Sequence, residues 1–244
     1  MKIREAVTEY RFSILDHSEA TQDWTRKKLG RFISWCEVQG LELEDIKPME
    51  VRRFIEELKH TPNKHNGTEP LSSHTIHGHA RIIRTFLNWC YSEEFIEKQR
   101  KITMPHLEKK VIETLTPDQI RAMFNATEQE YTQEMVKRDQ AILSVLLDTG
   151  IRASELCDLT LENVHIDNLD AYIKLHGKGN KWREVGLGKQ SRALLYRYIH
   201  RYRTTPKDNS YVFLTRYKEQ MTPNGLNQTL YGSSAGSLLS HVVY

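Results

Sequence analysis

Cysteine is scarce in this chain. The three present, Cys36, Cys90 and Cys157, lie far apart, and no CxxC pair occurs. An odd, scattered set argues against a disulfide framework and against a cysteine-type zinc site. Long apolar runs are missing as well. No stretch approaches the roughly 18 apolar residues of a membrane-spanning helix, and the amino-terminal MKIREAVTEYRF has no apolar core of the kind a secretory signal needs. Charge of one sign is also lacking. Lys and Arg number 35 against 32 Asp and Glu, for a net charge of +3 and a pI near 8.6. That balance permits a nucleic-acid partner without requiring one, because dedicated binding domains often exceed a pI of about 9. A reduced, cytoplasmic protein with no membrane association is the expectation.

What is present is ordinary globular material. The chain has 244 residues, 39% hydrophobic and 27% charged, enough for two domains. An internal echo organises the first part. SEATQDWTRKKLGRFISWC from Ser18 and SSHTIHGHARIIRTFLNWC from Ser72 superpose on a 54-residue shift. Ser18 falls on Ser72, Thr21 on Thr75, and Phe32-x-x-Trp35-Cys36 on Phe86-x-x-Trp89-Cys90. Each copy opens on a serine that can cap a helix. Each continues with apolar residues at i, i+3, i+4, namely Leu29, Phe32, Ile33, Cys36 and Ile83, Phe86, Leu87, Cys90. DIKPMEVRRFIEELKH between them predicts a third helix, with Pro48 near its start. HTPNKHNGTEPL is a loop by its Pro, Gly and Asn content. Residues 1–105 therefore read as a small helical domain and 106–115 as a charged linker.

Residues 116–244 read as a second domain. Thr116 suits an N-cap, Pro117 the first helical position and Asp118 the positive end of the helix dipole. Helices are expected at about 117–128 and 134–148, and another near Arg152. After Asp167 the period changes to that of strands, and AYIKLHGKGNKWREVGLG predicts a β-hairpin around GKGNK. SRALLYRYIHRYR returns to helical spacing, YVFLTR is a short apolar segment, and TPNGLNQTL reads as a cap and helix start. The tail, 231–244, is Gly/Ser-rich, carries no formal charge and resembles nothing before it.

TGIRASEL, Thr149 to Leu156, places an arginine between two apolar segments. Gly150 permits a sharp turn, Arg152 falls near the first turn of the next helix, and Glu155 is within reach of its guanidinium. The arginine is either half of a structural ion pair or a seat for a phosphate beside free backbone amides. Lys178, between Gly177 and Gly179, is either a solvated turn residue or a point charge delivered to a ligand from outside.

LTPDQI, then LLDTGIRASELCDLTLENV, then GKGNKWREVGL and YVFLTR, in that order, resemble the tyrosine recombinases, the phage integrase family. The resemblance runs to about Leu230. It implies a mainly α fold with a small β-hairpin or sheet: a helical core-binding domain that clamps DNA, then a catalytic domain. It also implies a tyrosine that attacks the scissile phosphate to give a 3′-phosphotyrosyl link. In that scheme Arg152 stabilises the phosphorane, Glu155 supports Arg152, and Lys178 protonates the leaving 5′-oxygen. Lys181 and Arg183 in the same motif become backbone contacts. No cofactor is implied.

The chain departs from the family pattern after Leu230, where no His-x-x-Arg follows and Tyr244 is a poor candidate for the nucleophile. The expectation is a catalytic domain incomplete in this region, able to bind DNA, weak in multimerisation and unable to exchange strands alone. A frameshift, a decaying mobile element or a shortened chain would each produce such a tail. The resemblance also points to two DNA-facing helices, with Thr25, Arg26, Lys27 and Lys28 on the first and Ser73, His74, Thr75, His77, Arg81 and Arg84 on the second. A plain solvated face is the competing reading. Two other functions compete as well: a metal site at His74, His77 and His79, which lacks a fourth ligand, and a non-catalytic DNA-binding regulator.

Overall fold

The structure, a computed structural model, describes residues 2–62, 70–108, 114–129, 132–167, 170–177, 181–204 and 209–232. The chain divides into two compact units, Met1–Lys110 and Val111–Tyr244. Among the described residues the first unit holds α1 (Ile3–Ser13), α2 (Glu19–Val38), α3 (Pro48–Lys59) and α4 (Ser73–Ser92). The echoed serines start α2 and α4. Ser18 accepts from the Thr21 amide at 3.4 Å and Ser72 from the Thr75 amide at 3.2 Å.

The repeated Phe-x-x-Trp-Cys then does the same structural job twice. Phe32, Phe86, Cys36 and Cys90 are fully buried. Each tryptophan stacks on its own phenylalanine, Phe32–Trp35 at 6.2 Å and Phe86–Trp89 at 6.4 Å between ring centroids. Around these pairs α3 contributes Phe54, edge-on to Phe32 at 5.0 Å. The sequence reading places no helix before Ser18, and α1 corrects it. Ile3, Val7 and Tyr10 lie on one helical face and are buried, with Tyr10 against Phe86 at 5.4 Å.

The second unit begins with α5 (Pro117–Thr127), held by a reciprocal capping box. The Thr116 amide donates to Gln119 at 2.8 Å, and the Gln119 amide donates to Thr116 at 3.2 Å. Then come α6 (Gln133–Thr149) and the short α7 (Ala153–Cys157). A three-stranded antiparallel sheet follows, β1 (Val164–His165), β2 (Tyr172–Gly177) and β3 (Lys181–Gly186), in that order across the sheet. The β2–β3 hairpin is the one the sequence predicts; β1, at two residues, is too short to leave a periodic signal.

α8 (Lys189–Arg197) runs into a π-helical turn, Tyr198–Tyr202, and α9 (Pro223–Gly232) ends the described chain. YVFLTR joins no named strand and makes isolated bridges, Thr160 to Tyr211 and Leu214 to Gln220. The core gathers Ile142 and Val145 of α6, Ile173 and Leu175 of β2, Leu195 of α8 and Phe213, with Tyr198 stacked on Phe213 at 5.8 Å. Among the described residues no helix is long and apolar enough to cross a membrane. The atypical tail beyond 232 and the hairpin tip at 178–180, which includes Lys178, lie outside the described residues.

Candidate functional site

Gly150 ends α6 in the left-handed region at φ 61°, a conformation that favours glycine, and its amide closes on the Leu146 carbonyl at 3.0 Å. The chain then turns at once, and Arg152 follows in extended backbone as the N-cap of α7. The helix is only five residues long. A dipole that short adds little attraction for an anion, so the guanidinium itself carries most of any such attraction.

Glu155 is the centre of the site. Its side chain is 4% exposed, whereas Arg152 is 67% and Arg183 is 41% exposed. The Arg152 amide donates to Oε2 at 2.8 Å and its Nη1 to Oε1 at 2.9 Å. Arg183 closes a two-pronged fork on the same carboxylate, Nη1 to Oε1 and Nη2 to Oε2, both at 2.8 Å. That fork holds the Glu155 carboxyl at about 2, well below its ordinary 4.5, against the opposing effect of burial. The carboxylate is therefore ionised at any physiological pH. Two guanidinium groups share one negative charge, and the cluster carries a net positive charge.

The hairpin register explains how Arg183 arrives there. It pairs with Leu175, and Lys181 pairs with Gly177. Side chains alternate across a strand, so Lys181 and Arg183 share the face of buried Ile173 and Leu175. A Cβ on Gly177 would meet Arg183 Nη1 at 3.0 Å and Glu155 Oε1 at 3.4 Å. Glycine there leaves room for the fork. The sequence reading assigns Arg183 to a DNA backbone contact; its fork with Glu155, which no local pattern announces, ties the hairpin to the Arg152 turn. The spacing His-x-x-Arg also occurs at His200, inside the π-helical turn, and Arg203, which caps it. There Arg203 donates to the carbonyls of Asn209 at 2.9 Å and Val212 at 3.0 Å, a role in the main-chain framework.

In the first unit the candidate contacts separate. Thr25 is a correction: at 4% exposed it sits in the buried stripe with Leu29, Phe32 and Cys36, not on a DNA-facing surface. Arg26 and Lys27 are exposed but both pair with Asp23, Lys27 at 2.6 Å. On α4, His74, Arg81 and Arg84 are exposed, and Ser73, Thr75 and His77 are half-buried. Lys28 and Arg81 lie over the Trp24 ring, at 5.6 and 5.0 Å from its centroid. Trp24 and exposed Arg31 belong to this basic patch and escape the sequence reading, although Trp24, Lys28 and Arg31 fall at i, i+4 and i+7.

His79 is buried beside the ring of Phe54, and burial, reinforced by Lys28 and Arg31, pushes it down to about 4. It is turned into the core, away from exposed His74, which removes the three-histidine metal site. No cluster of three His, Cys, Asp or Glu able to hold a metal occurs among the described residues.

The family model described as the phage integrase family matches residues 113–237, just over half of the chain. The chain belongs to the phage integrase family. Curated tyrosine recombinases resemble it across most of its length. A XerC of Thermodesulfovibrio yellowstonii is 31% identical over 177 residues, covering 71% of this chain and 54% of that protein. A XerD of Chlorobaculum tepidum is 29% identical over 174 residues, covering 70% and 54%. A XerC of Anoxybacillus flavithermus is 28% identical over 225 residues, covering 88% and 70%. The chain thus spans about half the length of some of the relatives it matches.

Among solved structures, the Tn1549 transposon integrase in complex with circular intermediate DNA superposes with a TM-score of 0.73 at 18% identity, over 98% of this chain and 78% of that one. A lambda integrase dimer bound to a COC′ core site gives 0.68 at 14% identity, over 94% and 76%. These superpositions show the integrase fold, mainly helical with a small antiparallel sheet.

Proposed function

We propose that this phage integrase family chain binds double-stranded DNA through the exposed basic faces of α2 and α4, and that it offers Arg152 to a DNA phosphate, with Lys178 as its partner in the chemistry. The observation that carries the reading is the Arg152–Glu155 arrangement. A mostly exposed guanidinium is anchored on a buried, ionised carboxylate by one side-chain bond, which leaves most of its N–H donors facing solvent. Preorganised donors of this kind stabilise charge that develops on a phosphorane. Lys178 then serves as general acid toward the leaving oxygen, and Lys181, on the Arg183 face, contacts backbone. The two structures cited above, each solved with DNA, support a DNA partner.

The second reading concerns strand exchange. These residues hold no His-x-x-Arg after Leu230. A second arginine donor of the oxyanion kind contributes roughly 3 kcal/mol. We propose that these 244 residues by themselves occupy DNA and do not exchange strands, the behaviour of a non-catalytic DNA-binding regulator. A nicked suicide substrate carrying a recombination site from the gene's flanks tests both readings. The expected result is a gel shift that weakens steeply with salt and no covalent adduct. An adduct that disappears in Tyr244→Phe overturns the second reading. Binding that is insensitive to salt overturns the first.

A further inference from the structure

Glu155 is saturated. A carboxylate offers about four lone-pair sites, and Glu155 accepts two bonds on Oε1 and two on Oε2. The four are divided unequally. Arg183 holds both oxygens with its fork, whereas the Arg152 side chain holds one, its second bond coming from its own backbone amide. The division is built into the fold. Arg183 is fixed by the β2–β3 register, and Gly177 leaves the gap in which its guanidinium lies.

We infer that Arg183 is a positioning residue that keeps Arg152 available by occupying the acceptors Arg152 would otherwise take. A bidentate arginine–carboxylate pair is the stronger geometry, and Arg152 and Glu155 are three residues apart, close enough to form one. Arg183 takes that geometry first. Without it, the freed oxygens draw the Arg152 guanidinium down into a two-pronged pair and away from solvent. The two arginines compete for one carboxylate, and the exposure of Arg152 depends on Arg183 holding the larger share. This deepens the proposed function and rests on it for the role of Arg152 toward phosphate.

The test is a cycle of variants of the full chain: Arg183→Ala, Glu155→Gln and the two combined. Arg152 availability is read as its rate of modification by phenylglyoxal, located by peptide mass spectrometry, with circular dichroism as the check on folding. Arg183→Ala is expected to slow modification of Arg152 by roughly tenfold, the effect of one charge-assisted hydrogen bond. The double variant, whose neutral amide no longer attracts the guanidinium, is expected to restore the rate. Arg183→Lys keeps a charge beside Glu155 if the alanine variant fails to fold, leaves one oxygen without its partner, and gives a smaller slowing in the same direction.

Arg152 modification that is unchanged or faster in Arg183→Ala, or as slow in the double variant as in the single, overturns the inference. Affinity for a labelled random-sequence duplex is measured on the same variants and is expected to follow the same order. Modification that follows the cycle while duplex affinity does not leaves Arg183 as the positioning residue and removes Arg152 from phosphate binding.

Discussion

Two clusters in this molecule are built from the same parts, one carboxylate and two cations, and behave as different objects. On α2, Asp23 pairs with Arg26 and Lys27 at a side-chain exposure of 36%, and the cations themselves are freely hydrated. In the second unit Glu155 pairs with Arg152 and Arg183 at 4% exposure. The surface set is three side chains of one helix, each with other conformations at hand. The buried set joins a turn to a strand 28 residues away and has every acceptor filled. Burial turns an ion pair from an accident of proximity into a specification of geometry: leaving a partner out of a buried pair costs far more than the pair gains over water, and at the surface water substitutes.

The largest test of that contrast is Glu155→Ala beside Asp23→Ala. Glu155→Ala removes the acceptor of four hydrogen bonds, three of them from guanidinium groups, a loss on the order of 3 kcal/mol, so the second unit should melt roughly 10 °C lower by calorimetry. Asp23→Ala should leave the transition where it was. Equal shifts would break the comparison. Acid sharpens it next. Glu155 titrates at about 2 in the folded chain against an ordinary 4.5, so its contribution is complete above about pH 5. Protons bind the unfolded chain first as pH falls, and the contribution is gone below about pH 2, a loss on the order of 3 kcal/mol. Urea midpoints of wild type and Glu155→Gln should converge over that window. Parallel curves would show that Glu155 is not the group responsible.

DNA binding offers a smaller contrast, between α2 and its echo α4. Arg26 and Lys27 have an acidic neighbour, whereas α4 contains no acidic residue at all. Arg81→Ala with Arg84→Ala should weaken duplex binding about tenfold or more at low salt and lower the salt slope by up to about 2. Arg26→Ala with Lys27→Ala should do visibly less. The smallest effect is Asp23→Asn, which frees the α2 cations. Duplex affinity should rise about twofold to threefold at low salt and return to the wild-type value as salt screens the difference. A fall in affinity would place Asp23 itself in the contact.

Much of this could be read from the residues in order. The Ser18, Ser72 and Thr116 caps, the Gly150 stop and the glycine-flanked hairpin are local signals, and the helices and strands fall within a residue or two of them. Thr25 shows how residue type can mislead where position would not. It stands four residues before Leu29 and seven before Phe32, on the buried stripe, and a hydroxyl tempts the eye to the surface. Arg183 stands out along the chain as a cation of the hairpin motif, but its pairing with Glu155 does not, because that partner is fixed by strand register and by the absence of a Cβ at Gly177. Patterns of period 2 and 3.6 tell which face a side chain is on, and pairing across a fold decides what waits there.

The echoed tryptophans have a practical consequence for optical work. Of the four indoles, Trp24, Trp35 and Trp89 belong to the first unit. Trp182 stands on the hairpin at 61% exposure, already largely in water before anything unfolds. The shift of intrinsic fluorescence during heating is therefore chiefly a report from the first unit. The second unit can lose its sheet and its arginine seat while the emission maximum hardly moves, and an observer with a fluorimeter would record a protein in perfect health.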